Sequence, residues 1–156
     1  MTGPILARNI MVTKLITLAP HVKMVEAAKL LLKNCISGAP VVNEEGELIG
    51  IFSEQDVMSA LIDAVYEDLP GSEVCNYMSR DVETIHEDLD LLSIAQIFRS
   101  RGYRRLPVVR DQKLVGQISR RDVMAAVVRL LEPAADRKSA LLYLSALREA
   151  PDSLLE

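Results

Sequence analysis

The chain has 156 residues, of which 49% are hydrophobic and 26% charged, with a net charge of −4. This suits one compact domain or two small repeats with a real core. The acidic balance offers no global field to attract nucleic acid, and 4% aromatics without a tryptophan leave no stacking platforms for single strands. Arg8, Asn9 and Lys14 interrupt the apolar N-terminus, and no apolar run approaches the ~20 residues of a membrane span; a soluble, cytoplasmic protein is expected.

Taken in order, the chain has a regular grammar. Leu15 to Leu18 reads as a short strand stopped by Pro20. Met24, Ala27, Ala28, Leu31 and Leu32 recur at helical spacing, and Gly38 is expected to end that helix. Ala39 to Val42 reads as a buried strand, Asn43 to Gly46 as a turn, and Leu48 to Phe52 as the return strand of a hairpin. A helical pattern follows from Ser53 to about Val65, and a polar stretch from Tyr66 to Glu73 reads as a linker.

The order then repeats. Val82 to Ile85 is the first strand, and Asp90 caps a helix through Arg101 that Gly102 follows. Leu106 to Val109 and Lys113 to Ile118 make the hairpin, and Arg120 to about Leu131 the last repeat helix. At an offset of 67, Met11 matches Met78, Thr17 matches Thr84, and Pro40 to Val42 match Pro107 to Val109. One deletion in the turn makes the offset 66, which pairs Gly50 with Gly116, Ser53 with Ser119 and Asp56 with Asp122. The boundaries are 7–65 for the first copy, 66–73 for the linker and 74–132 for the second copy. A C-terminal helix follows within 133–150, with a tail at 151–156. The fold class is α+β, sandwich-like, with two β-α-β-β-α units packed about a pseudo-two-fold axis. In the C-terminal segment, Leu141, Leu142, Leu144 and Leu147 form an apolar face that covers the repeats or joins a second chain.

The two cysteines, Cys35 and Cys75, form no CxxC pair, and no metal-ligand spacing joins them to His21 or His86. They read as free thiols of a reducing compartment, and no metal is expected.

Asn9-Ile10-Met11, Ala39-Pro40-Val41-Val42 and Leu48 to Asp56 resemble the pattern of a cystathionine-β-synthase (CBS) domain. Asn76-Tyr77-Met78, Arg105 to Val109 and Leu114 to Asp122 repeat it. The resemblance covers about residues 7 to 131. It implies a tandem pair, or Bateman module, that binds adenosine-containing ligands such as AMP, ADP, ATP, S-adenosylmethionine or NAD and requires no cofactor. It further implies a regulatory role without catalysis, a homodimer, and a regulated enzyme or transporter on a separate chain.

Ser53-x-x-Asp56 and Ser119-x-x-Asp122 each have two readings. One is a helix cap worth roughly 1 kcal/mol. The other, implied by the resemblance, is a ribose site in which the Asp accepts two hydroxyls and the Ser lies near a phosphate. The copies differ in charge. Arg104, Arg105 and Arg121 of the second copy stand where the first has Ser37, Gly38 and Gln55. These arginines are either a solvated basic face or, by resemblance, the phosphate ligands of the cleft holding Asp56. Thr17, Ile36, Ile51, Thr84 and Tyr103 are core residues or adenine contacts. The competing function is a ligand-free dimerisation or scaffold domain. An enzyme is the weakest reading, because neither a Gly-x-Ser-x-Gly elbow nor a phosphate loop is present.

Overall fold

A computed structural model describes residues 3–67, 72–132 and 137–148. The elements in order are α1 (Ala7–Ile10), α2 (Met24–Lys33), β1 (Gly38–Val42), β2 (Leu48–Ser53) and α3 (Glu54–Glu67). A 3-10 turn at Val74–Asn76 follows, then β3 (Ile85–His86), α4 (Leu91–Arg101), β4 (Arg105–Arg110), β5 (Lys113–Ser119), α5 (Arg120–Leu131) and α6 (Arg137–Arg148). The fold is α+β, with two repeats of strands and helices and a C-terminal helix.

The chain divides into two units that interleave in sequence. One contains Lys14–Thr84 and the hairpin tip Val109–Leu114; the other contains the segment up to Thr13, Ile85–Val108 and the chain from Val115 onward.

In the first unit β1 and β2 form an antiparallel pair from Gly38↔Ser53 to Val42↔Leu48, with an irregularity between Val41 and Val42. The expected strand at Leu15 to Leu18 is reduced to one parallel bridge, Leu18 to Val41. Leu18 N–H donates to the Pro40 carbonyl, and the Leu18 carbonyl accepts Val42 N–H, both at 2.9 Å. The next rung back would need an N–H at residue 40, and proline has none. In the second unit β3 begins only at Ile85 rather than at Val82, and the sheet order is β3-β4-β5.

Helix α2 ends at Lys33, not at Gly38; Asn34 is its C-cap, and Cys35 takes the left-handed position at φ 52°. Gly38 instead opens β1, where an added Cβ would meet the Phe52 carbonyl oxygen at 3.1 Å. Helix α4 follows its sequence signals. The Asp90 carboxylate accepts from Ser93 N–H at 3.0 Å, and Gly102 closes the helix at φ 66°.

Each unit buries its own core: Leu18, Leu31, Val41, Phe52, Val74 and Met78 in the first, and Ala7, Ile94, Leu106, Val108 and Ile118 in the second. Met78 lies over Gly50 in the first, and Met11 lies over Gly116 in the second. Helix α6 packs against α5; its Tyr143 is buried, and the Tyr143 hydroxyl accepts Ile5 N–H at 3.3 Å. Leu141, Leu142 and Leu144, part of the face expected either to cover the repeats or to join a second chain, are exposed. Residues 133–136, 149–156, 68–71 and the side chain of Leu147 lie outside the described residues.

Candidate functional site

Two strand-to-helix junctions are built alike, one in each unit. In the first, β2 ends at Ser53 and α3 starts at Glu54. Glu54 N–H donates to the Ser37 carbonyl at 2.9 Å, and Gly38 pairs with Ser53, so Ser37 and Gly38 flank the helix start. Asp56, in the first turn, folds its carboxylate back. Its Oδ2 accepts Ser53 N–H at 2.8 Å and the Ser53 hydroxyl at 3.3 Å. Its Oδ1 has no hydrogen-bond partner among the described residues. Burial raises the Asp56 carboxyl above its ordinary pKa, and the two Ser53 hydrogen bonds pull it back down.

At the second junction, Asp122 Oδ2 accepts Ser119 N–H at 2.7 Å and the Ser119 hydroxyl at 2.9 Å, and Asp122 N–H donates to Ser119 Oγ at 3.2 Å. This is a reciprocal capping box. Here too Oδ1 has no partner among the described residues. Arg120 N–H donates to the Arg104 carbonyl at 3.4 Å, and Arg120 Nε to the Tyr103 carbonyl at 2.7 Å. The start of α5 therefore stands beside Tyr103 to Arg105 as the start of α3 stands beside Ser37 and Gly38. Arg104, Arg105 and Arg121 are exposed and form no ion pair among the described residues.

The duplicated junctions coincide with a family model. The model of the CBS domain matches residues 7–63 and again residues 72–129. The chain belongs to the CBS domain family. An uncharacterized protein of Methanocaldococcus jannaschii is 36% identical over 115 residues, covering 74% of this chain and 40% of that protein. The A-adding tRNA nucleotidyltransferase of Aquifex aeolicus is 33% identical over 125 residues, covering 80% of this chain and 15% of the enzyme. This chain thus spans less than half of either relative. An uncharacterized 17.7 kDa protein of Acidianus ambivalens is 31% identical over 121 residues, covering 77% of this chain and 71% of that one.

Among solved structures, a CBSX2 crystal structure in complex with AMP has a TM-score of 0.72 at 24% identity, covering 81% of this chain and 98% of that one. The CBS domain pair of the protein MJ0100, in complex with 5′-methylthioadenosine and S-adenosyl-L-methionine, has a TM-score of 0.63 at 28% identity and covers 80% and 96% of the two chains.

Within this CBS pair the sequence-predicted ligand residues divide between the units. Thr17, Ile36, Ser37, Ile51, Ser53, Asp56 and Thr84 lie in the first, and Tyr103, Arg104, Arg105, Ser119, Arg121 and Asp122 in the second. Ser37, Ser53 and Asp56 are brought together by the bonds described above. Ile51 exchanges two backbone hydrogen bonds with Ser79, each at 2.9 Å. Thr17 opens on a cavity of about 460 Å³ with Leu18, Ala19, Pro20, His21 and Val42 to Glu45; neither Ser53 nor Asp56 lines it. Thr84 is exposed.

One grouping contradicts the spacing of the sequence. His21, Glu73 and Cys75 converge in the first unit, with their ligating atoms all within 4.8 Å of one another. The His21 hydrogen bond, then the Cys75 thiol, holds the Glu73 carboxyl below its usual range. Desolvation, then the Glu73 carboxylate, pushes the Cys75 thiol up. Only the pairing of the Pro20-to-Met24 segment with Ser72 to Cys75 brings them together, and no local motif announces that pairing.

Among the described residues no helix is long and apolar enough to cross a membrane.

Proposed function

We propose that this CBS pair is a regulatory, non-catalytic module that binds an adenosine nucleotide or related adenosyl ligand and signals to a separate partner in the cytoplasm. The observation that carries the reading is the division of labour within Asp56. One carboxylate oxygen holds the helix start, and the other is left to accept a hydroxyl. A ribose supplies adjacent O–H donors, and charge-assisted bonds of this kind contribute roughly 1.5–3 kcal/mol each. Asp122 offers the same arrangement. The adenosyl ligands named for the MJ0100 pair support the ligand class. Arg104, Arg105 and Arg121, which form no ion pair among the described residues, favour a phosphorylated member of that class, such as AMP, ADP or ATP, over an uncharged nucleoside. No required cofactor and no catalytic residue enter the reading.

Self-association supports signalling. On α3, Met58, Leu61, Ile62 and Val65 are 56–74% exposed, and on α5 Met124, Val127, Val128 and Leu131 are also exposed. Apolar stripes at helical spacing on an exposed surface mark protein contacts, and a second copy of this chain is the proposed occupant.

The test is thermal unfolding of the full chain with AMP, ATP, S-adenosylmethionine and NAD at millimolar levels, alongside a native mass spectrum. A ligand held 100-fold above its Kd adds about 2.7 kcal/mol, a readable shift, and the spectrum reads dimer and nucleotide together. No shift with any of the four leaves the scaffold reading, in which both junctions act as helix caps alone.

A further inference from the structure

We propose that His21, Glu73 and Cys75 form a site for a borderline-soft divalent cation, zinc above all, distinct from the two Ser–Asp junctions. The three side chains offer an imidazole nitrogen, a thiolate sulfur and a carboxylate oxygen, the donor set that zinc combines. His21 Nδ1 lies 2.8 Å from Glu73 Oε2, and Cys75 Sγ lies 3.5 Å from the same oxygen. Around a tetrahedral zinc with bonds of about 2.0–2.3 Å, neighbouring donor atoms stand about 3.3–3.5 Å apart. Small side-chain rotations therefore separate the observed spacing from a bonded one.

The backbone under the trio is held from both sides. Met24 N–H donates to the Ser72 carbonyl, Val74 N–H to Val22 and Cys75 N–H to Pro20, each at 2.9 Å. Lys23 and Glu73 form an antiparallel bridge, and Arg80 Nη2 donates to the Cys75 carbonyl at 3.2 Å. Two segments 52 residues apart at His21 and Glu73 thus present their ligands from a fixed ladder, the preorganisation a metal site needs. The His21 side chain is 80% exposed, which leaves an entry path and room for water in the fourth position. On binding, the metal replaces the thiol proton, which passes to water. The ion would staple the segment entering α2 to the segment leaving the linker.

The experiment uses the full chain, reduced and stripped by chelator. Cobalt(II) is titrated as a spectroscopic probe, and zinc affinity is read by competition with a chromogenic chelator. The expected result is about one ion per chain and a thiolate-to-cobalt charge-transfer band. Cys75→Ser, His21→Ala and Glu73→Gln should each lower zinc affinity by at least roughly 10–100-fold, with Cys35→Ser unchanged. A wild-type chain without the charge-transfer band, or a band that survives Cys75→Ser, overturns the proposal. The His21 side chain lies largely in solvent, so His21→Ala keeps the fold, and unchanged zinc affinity in that variant also overturns it.

Discussion

Met78 lies so close over Gly50 that a Cβ at residue 50 would stand 2.6 Å from its sulfur and 2.9 Å from the Ser79 carbonyl oxygen. The matching contact in the other unit puts Met11 Sδ at 2.5 Å and Cγ at 2.8 Å from a Cβ on Gly116, with no backbone atom among the nearest three. A thioether can rotate aside, but a carbonyl held in the Ile51–Ser79 bridge cannot. Gly50→Ala is therefore expected to cost more than Gly116→Ala, within the roughly 1–3 kcal/mol range of overpacking. Urea unfolding of the two variants checks the order.

Asp56 and Asp122 are expected to divide binding and stability unequally. The Ser119 hydroxyl is held at 2.9 Å by Asp122, whereas the Ser53 hydroxyl stands 3.3 Å from the desolvated Asp56. Asp122 is the more fully committed to its helix. Asp56→Ala should weaken AMP binding about tenfold or more, and Asp122→Ala should weaken it less while removing about 1 kcal/mol of stability. Calorimetric titration and urea unfolding of both variants read the two effects; equal losses of AMP affinity contradict the assignment.

Asp56 also makes stability depend on acidity. Burial lifts its folded pKa above the ordinary 3.8, so between the two values the folded chain binds more protons than the unfolded chain. Unfolding free energy then falls as pH rises through that window. Asp56→Asn removes this dependence. Relative to that variant, the wild type should lose stability as pH rises from about 3.8 through the folded pKa, which paired unfolding curves across acid pH measure.

The arginines should read phosphate rather than nucleoside. Arg104→Ala with Arg105→Ala is expected to lower AMP affinity and leave adenosine affinity unchanged, and to flatten the salt dependence of AMP binding. A parallel loss for adenosine indicates damage to the β4 start instead. Titration of both ligands at two salt concentrations decides.

Where local chemistry dictates conformation, the sequence is readable. Asp90 before an apolar helix and Gly102 after it announce both ends of α4, and the duplicated Ser–Asp pairs announce the starts of α3 and α5. What it hides depends on partners distant in the chain. Leu15 to Thr17 has strand composition, yet the missing N–H of Pro40 denies it a ladder. Cys35 takes a left-handed turn that composition assigns to Gly38, because the glycine is needed where β1 meets Phe52. Gly50 and Gly116 are visible as a matched pair, but their reason is a methionine from elsewhere in the chain. On α6 Leu141, Leu142 and Leu144 are exposed while Tyr143 is buried, its hydroxyl accepting the N–H of Ile5, a partner far away in the chain. His21 and Cys75 look unrelated until the backbone bridge between Lys23 and Glu73 is known.

The interleaving of the two units carries a topological consequence. Met78, from beyond the linker, fills the core of the unit that holds the first hairpin, and Ala7, from the chain's first segment, fills the core of the unit that holds the second. A chain severed between Glu67 and Ser72 would leave each fragment holding a piece of the other's interior. The duplication thus yields two halves that are obligate complements rather than spare copies. Neither half can be lost, transplanted or unfolded without opening the core of its twin.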